Sequence, residues 1–126
     1  MLNGLYPEPE PIFSVSEYAD RLARVRTRMA QSNIDCLFIS APEGMYYLSG
    51  YRCAFMQGQN TKQWPPTSGI AVHVDEDDYI LFETDRETVM HRNYTVARDI
   101  RYFTPGRTRD GTAFIADELA EQKWLG

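Results

Sequence analysis

The sequence predicts an α/β fold in which a mixed β-sheet is flanked by helices. Segments whose apolar residues recur at helical spacing alternate along the chain with short apolar segments typical of strands. Two of these strands are separated by a short acidic turn and form an antiparallel hairpin, which argues against a purely parallel Rossmann sheet. The 126 residues suit a single domain that folds without metals or disulfides.

The first helix begins after Ser14, because residues 14–17 have the S-x-x-E pattern of a capping box. Asn33 follows this helix and has the residue type of a left-handed helix end. The apolar residues of the helix follow at steps of four, three and four and share one face; they are Tyr18, Leu22, Val25 and Met29. Before the helix, residues 1–13 form an extended arm in which prolines alternate with glutamates.

Residues 35–40 form a short continuous apolar run, which predicts a strand covered on both faces at the centre of the sheet. A short helix then runs from Glu43 to Leu48, with Pro42 at a permitted position in its first turn. Ser49 and Gly50 end this helix.

The two strands of the hairpin are residues 69–74 and 79–82. A helix from Glu83 to His91 is predicted to follow, with Thr84 or Asp85 as its cap.

The final strand is predicted at Asp99 to Phe103, and the final helix at residues 112–124, capped by Asp110 or Thr112. The inner side of that helix carries Phe114, Ile115, Leu119 and Gln122.

The composition predicts a cytoplasmic protein that binds neither nucleic acid nor membrane. The chain has 13 Lys plus Arg against 18 Asp plus Glu, so its net charge of −5 offers no basic surface for phosphates. Its arginines 21 and 24 stand four residues after acids, a spacing that suits ion pairs on a helix. No apolar run approaches the ~20 residues that span a bilayer, and the N-terminus lacks a secretory signal. Cys36 and Cys53 fit neither a zinc site nor a disulfide framework, which predicts reduced thiols.

The residues by themselves assemble no catalytic group and no metal site. Asp75 to Asp78 lack the alternating ligands and glycine of a calcium loop. His73 and His91 stand near no nucleophile motif, and the Gly-rich phosphate signatures do not occur. Residues 51–68 form a long irregular stretch that mixes aromatic and polar side chains, as binding surfaces do. Substrate gating, subunit contact and simple local packing are all open for it.

Three blocks, in order, carry a resemblance to a known family. They are FSVSEYADRLARVR from Phe13, NIDCLFIS from Asn33 and EGMYYLSGY from Glu43. Their order and spacing resemble the N-terminal domain of the creatinase, prolidase and aminopeptidase P enzymes over about residues 13–124. This sequence has Gly44 where the family usually has asparagine. The resemblance implies a ribonuclease-H-like mixed sheet for residues 14–126.

The family resemblance also implies that the N-terminal and C-terminal domains have different functions. A separate C-terminal pita-bread domain of the family holds a dinuclear centre of manganese, cobalt or zinc through two aspartates, a histidine and two glutamates. None of those ligands can be placed on this chain, so the catalytic domain is expected to be absent from it. The N-terminal domain serves homo-oligomer assembly and lends loop residues to an active-site mouth. By position, this loop carries Tyr51, Arg52, Phe55, Gln57 and Trp64.

The substrate class stays open between proline peptides and other small amides. In creatinase the corresponding loop has an arginine where this sequence has Gln57, and a neutral amide cannot form the charged bidentate contact with a carboxylate. Creatine is therefore disfavoured as a substrate.

Two other functions are compatible with the sequence. The chain could be a stand-alone binding or adaptor module without a catalytic partner domain. A nuclease-like function would require clustered acids at strand ends, and only Asp35 and Glu83 are near such positions.

Overall fold

A computed structural model of the chain describes residues 13–51, 68–84, 95–103 and 111–125. In this part of the chain three helices and four strands follow in the order α1, β1, α2, β2, β3, β4, α3. Their bounds are α1 Val15–Gln31, β1 Cys36–Ile39, α2 Pro42–Ser49, β2 Gly69–His73, β3 Ile80–Thr84, β4 Asp99–Phe103 and α3 Gly111–Glu121.

The four described strands form one mixed sheet in the order β1-β2-β3-β4. The first two pairings are antiparallel, with Leu37 opposite Val72 and Ile70 opposite Leu81, and the β3–β4 pairing is parallel. The predicted α/β class and the hairpin are therefore confirmed.

Side chains of a strand alternate between the two faces of the sheet, so both faces carry apolar residues. Helices pack on each of these faces. On one face Ile70, Val72 and Leu81 pack with apolar residues of α1 and α2. On the other face Ala71, Ile80 and Phe82 pack with α3 and Trp124. The result is a three-layer arrangement of helices, sheet and helix.

The start of α1 is fixed as the sequence predicts. Ser14 Oγ accepts a hydrogen bond of 3.1 Å from the Glu17 backbone N–H. The rings of Phe13 and Tyr18 pack edge to face at 6.2 Å, which is the position of a hydrophobic staple. Asn33 has a positive φ of 58°, so the predicted left-handed helix end is also confirmed.

The structure corrects two element predictions. The strand at residues 36–39 forms and packs on both faces as predicted, through Leu37 and Ile39 on one side and Cys36 and Phe38 on the other. It lies at the edge of the described sheet rather than at its centre, because it pairs with β2 alone. Glu83 and Thr84 belong to β3 and do not begin a helix; the register pairs Glu83 with Tyr102 of β4. The rest of that predicted helix lies outside the described residues. Gln122 follows the end of α3 and is exposed, so it is not on the inner side of that helix.

Gly44 has a physical reason at its position in α2. A Cβ atom there would lie 2.6 Å from Cγ2 of Ile39, closer than real Cβ contacts come. The glycine therefore allows α2 to lie directly against the end of β1. None of the helices in the described part of the chain is long and apolar enough to cross a membrane.

Candidate functional site

Buried polar groups gather where α2 ends. Ser49, fully buried, donates a hydrogen bond of 2.6 Å from Oγ to the Met45 carbonyl, and its Oγ accepts one of 3.1 Å from the Tyr51 N–H. The Ser49 carbonyl accepts bonds of 2.9 Å from Thr95 Oγ1 and from the Val96 N–H. These bonds attach the segment before β4 to the end of α2.

Glu83 is the charged member of this region. Its side chain is 2% exposed, and it lies on the α1 and α2 side of the sheet because its neighbour Phe82 packs on the α3 side. Tyr51 Oη donates a hydrogen bond of 3.1 Å to Oε2, and Ser68 Oγ donates one to Oε1. Tyr51 and Ser68 are themselves 1% and 4% exposed. We call Tyr51, Ser68 and Glu83 the carboxylate cluster.

The local sequence pattern did not predict this cluster, because it placed Glu83 in a helix. The signal that could have found it is the period of two, since Leu81 and Glu83 of β3 lie on one face together with Tyr79, which precedes the strand. The partners Tyr51 and Ser68 lie 32 and 15 residues away in the chain, and no local pattern links them.

A second feature is an open groove of about 830 Å³ beside α1. Its floor is apolar, with Ala19, Leu22 and Ala23 from α1 and Leu48 from α2. Its rim carries both charge signs from the residues Arg26, Asp77, Asp78 and Arg98. The Arg26 guanidinium already has partners there, since it donates hydrogen bonds to the Val74 carbonyl at 3.2 Å and to the Asp77 carboxylate at 3.4 Å.

A third feature is an arginine enclosed by aromatic rings. The guanidinium carbon of Arg21 lies 4.2 Å from the ring centre of Phe13, 4.6 Å from that of Tyr47 and 5.2 Å from that of Tyr18. Arg21 also donates to Glu17 at 3.0 Å and to the Tyr47 carbonyl at 2.9 Å. These contacts, together with the burial of Arg21, identify it as a packing group that joins α1 to α2.

Of the five residues predicted for the active-site loop, the structure describes only Tyr51. Its side chain is buried and donates a hydrogen bond to Glu83. The other four, Arg52, Phe55, Gln57 and Trp64, lie outside the described residues, as do His91 and Cys53.

The remaining sequence candidates have ordinary roles where they are described. Asp75 to Asp78 are exposed. His73 Nδ1 accepts a bond of 3.1 Å from the Asp75 N–H, and its ring lies 5.5 Å from that of Trp124. Cys36 is a free, half-buried thiol whose pKa is raised by burial.

Neither a dinuclear metal centre nor a nuclease site fits the described residues. Within ranges 13–51, 68–84, 95–103 and 111–125, no group of three or more His, Cys, Asp or Glu side chains is placed to hold a metal ion. Asp35 lies beside the His73 end of β2, and Glu83 beside the Gly69 end. The antiparallel register therefore puts these two acids at opposite ends of a strand, too far apart to share a cation.

Comparison with solved structures supports the fold. An Xaa-Pro aminopeptidase from Streptococcus pyogenes superposes with a TM-score of 0.61 at 15% identity, over 88% of this chain and 71% of that one. A dipeptidase from Pyrococcus horikoshii OT3 also gives 0.61, at 18% identity, over 82% of this chain and 25% of that one.

Comparison of sequences identifies the family. Ectoine hydrolase from Halomonas elongata is 54% identical over 39 residues, a match that spans 31% of this chain and only a tenth of that enzyme. The sequence model of the Creatinase/Prolidase N-terminal domain matches residues 21–126. That match includes all four described strands and all three described helices, apart from the first turns of α1. The chain therefore belongs to the Creatinase/Prolidase N-terminal domain family.

Proposed function

We propose that this chain is the non-catalytic N-terminal domain of a metal-dependent hydrolase that cleaves C–N bonds in small amides or peptides. The observation that carries the proposal is the family match over residues 21–126. Its fold resembles those of an aminopeptidase and of a dipeptidase, and the matched part of the dipeptidase is only a quarter of that chain. This agrees with a domain that works beside a larger one.

In this proposal the domain has two tasks, oligomer assembly and substrate gating. Residues from Tyr51 to Trp64 would reach the mouth of an active site, where the aromatic rings of Phe55 and Trp64 contact the substrate or a neighbouring subunit. The short match to ectoine hydrolase adds ectoine to the candidate substrates, beside proline peptides. Metal ligands and the hydrolytic step belong to the catalytic domain, and no step of the reaction is assigned to the described residues.

The first test asks whether the chain is catalytic by itself. The purified chain with manganese, cobalt or zinc should turn over neither ectoine, nor creatine, nor dipeptides with proline. Sustained metal-dependent hydrolysis of any of these would overturn the non-catalytic role. The reading frame that contains this sequence should also encode the Asp, Asp, His, Glu and Glu ligands of the family; a frame without them would favour the stand-alone binding module.

The second test addresses the loop in the polypeptide that includes the catalytic domain. Phe55→Ala and Trp64→Ala should change KM or the molecular mass in solution, because each removes a large contact from the proposed mouth. Leu125→Ala is the matched control, since Leu125 is 56% exposed and lies outside the loop. Unchanged KM and unchanged mass for both loop variants would remove the loop from the site.

A further inference from the structure

One side of the β1 backbone has no partner strand in the described sheet. The Val74 N–H donates to the Asp35 carbonyl at 2.9 Å, so these two residues are a hydrogen-bonded pair of the antiparallel ladder. The N–H and C=O groups of the odd-numbered residues of β1 therefore point toward β2. Those of Cys36 and Phe38 point away from β2, and no described strand lies on that side.

β1 carries none of the residues that usually protect an edge strand from pairing. Charged residues, prolines and bulges serve this purpose in other sheets. The four residues of β1 are uncharged and apolar, and each pairs with one residue of β2. They are half-buried, with Leu37 and Ile39 on the face of α1 and α2 and with Cys36 and Phe38 on the face of α3. A strand added at this edge would therefore meet apolar side chains on both faces of the sheet.

We propose that β1 pairs with β1 of a second copy of the chain, antiparallel and about a two-fold axis at Phe38. The two four-stranded sheets then form one continuous sheet. In such a ladder the outward groups of one strand face the outward groups of the other, so Phe38 lies opposite Phe38 of the second copy and Cys36 lies opposite Ser40. This inference rests on the proposed function, because it assigns the oligomer-assembly task to one edge of the sheet.

The start of α2 is the reason for choosing a second copy as the partner. The N-cap of α2 is Ala41, and no side chain caps this helix. Asp35 of the second copy lies opposite Ala41 in the proposed register, because both positions are three residues from Phe38. The two-fold axis is perpendicular to the sheet, so this exposed carboxylate is on the face of α2, near the N–H groups of its first turn, where an anion is favoured. The symmetry provides this contact twice, and an unrelated strand would not supply it.

Disulfide trapping tests the register in the full chain. Cys53→Ser leaves Cys36 as the remaining cysteine, and Ser40→Cys adds a thiol at the position that the proposal places opposite it. Residues paired in this way have Cα atoms about 5.5 Å apart, within the range that a disulfide spans. Within one extended strand, positions 36 and 40 are roughly 13 Å apart, so a disulfide between them forms only between two copies. Mild oxidation should therefore give a covalent dimer on a non-reducing gel.

Thr27→Cys in the same Cys53→Ser background is the matched control. Thr27 is exposed on α1, so this variant measures how fast disulfides form by random collision. The Ser40→Cys chain should form its covalent dimer at least roughly tenfold faster, because prior association raises the effective concentration of the thiols. Equal rates would overturn the proposal. Peptide mapping should find position 36 joined to position 40, and a dimer joined through 36–36 or 40–40 instead would refute the register.

Asp35→Asn tests the contact with α2 without oxidation. Sedimentation equilibrium of the native chain should show a dimer that depends on concentration. The variant should raise the Kd of this dimer roughly tenfold, because two helix starts lose their carboxylates at once. Asp20→Asn is the control, since the Asp20 side chain is 67% exposed and lies on α1, and it should leave the Kd unchanged. An equal change in both variants would contradict the contact with α2.

Failure of this inference and failure of the proposed function give different results. A native chain that stays monomeric at every concentration, without faster cross-linking through position 40, refutes the pairing of β1 and leaves its edge to a strand of another protein. The turnover assays that test the proposed function do not depend on that result. A dimer that forms without the 36–40 disulfide would also refute the pairing, but it would keep the assembly task and place it on another surface.

Discussion

The side chain of Arg21 links two of the sequence blocks that resemble the family. The block EYADRL supplies Glu17, Tyr18 and Arg21, and the block YLSG supplies Tyr47. Arg21 connects them by donating to Glu17 and to the Tyr47 carbonyl and by lying among the aromatic rings. The two blocks therefore hold α1 against α2.

We predict that Arg21→Lys destabilises the domain by about 1–2 kcal/mol, although the charge is kept. An ammonium group cannot donate in two fixed directions while stacking on a ring. The measurement is urea unfolding followed by far-UV circular dichroism. Arg24→Lys is the control, because the Arg24 side chain is 59% exposed and its ion pairs lie at the surface. Equal losses for both variants would contradict this account of Arg21.

Gly50 and Tyr18 form a second close contact between the same two helices. Gly50 ends α2 in the left-handed conformation with φ of 72°, and a Cβ atom there would lie 2.8 Å from the Tyr18 hydroxyl. Within the described chain this hydroxyl makes no hydrogen bond of regular geometry. Burial, the largest cause, and then Tyr46 raise its pKa, and the opposing effects of the Phe13 backbone and of Arg21 do not reverse that direction.

At the scale of elements, α1 depends on its N-terminal cap. Ser14→Ala should lower the free energy of unfolding by about 1 kcal/mol, because the Glu17 N–H loses its acceptor. Thermal or urea unfolding measures the loss. Thr27→Ala is the control: its hydroxyl bonds back to the Ala23 carbonyl on the exposed face, and its removal should change stability by less than about 0.5 kcal/mol. A neutral Ser14→Ala would show that the helix start is held by the Phe13–Tyr18 contact instead.

Elements with a strong local signal could be predicted from the sequence. The N-cap at Ser14, the apolar face of α1 and the acidic turn of the hairpin are all defined within a few residues, and the structure contains each of them. The antiparallel and parallel pairings then give the mixed sheet that the family resemblance implies.

Elements whose surroundings come from residues far away in the sequence could not be predicted in this way. Residues 36–39 are as apolar as a central strand, but their place at the edge depends on which strands pair. Glu83 looks like the first turn of a helix, where acids are favoured, because its partners Tyr51 and Ser68 are brought to it only by the sheet. For the same reason the sequence assigned Tyr51 to a binding loop without its buried anchoring contact.

In the molecule as a whole, hydrogen bonds between polar side chains and their partners connect the three layers, in addition to apolar packing. Arg101 of β4 donates to Asp99 on its own strand at 2.9 Å and to Glu118 of α3 at 3.3 Å. The Asp99 hydrogen bond, more than any other contact, raises the pKa of Arg101. On the opposite face, the Tyr79 hydroxyl donates to the Leu48 carbonyl at 3.3 Å and joins the sheet to α2.

Three buried groups that carry protons, one thiol and two phenols, predict that the domain loses stability in alkaline solution. Burial raises the pKa of the Cys36 thiol and of the Tyr18 and Tyr79 hydroxyls above their usual ranges, and Asp78 adds to the shift of Tyr79. Each group holds its proton more tightly in the folded state. Its stabilising contribution is complete below the unfolded pKa and is lost as pH rises toward the folded one.

The free energy of unfolding should therefore fall between about pH 9 and pH 11, starting with the thiol and continuing with the phenols. Urea unfolding at several pH values measures the slope. Tyr79→Phe should show a shallower decline than the native chain above about pH 10, even though it loses the bond to Leu48 at neutral pH. An identical slope in the variant would exclude Tyr79 as a source of the alkaline loss.

The contact of Tyr51 and Ser68 with one carboxylate has a consequence for the evolution of the domain. Once the two ends of a connection are fixed, doubling its length costs only about 0.6 kcal/mol in closure entropy. Lengthening the connection between Tyr51 and Ser68 should therefore cost the fold little, as long as both hydroxyls keep their hydrogen bonds to Glu83.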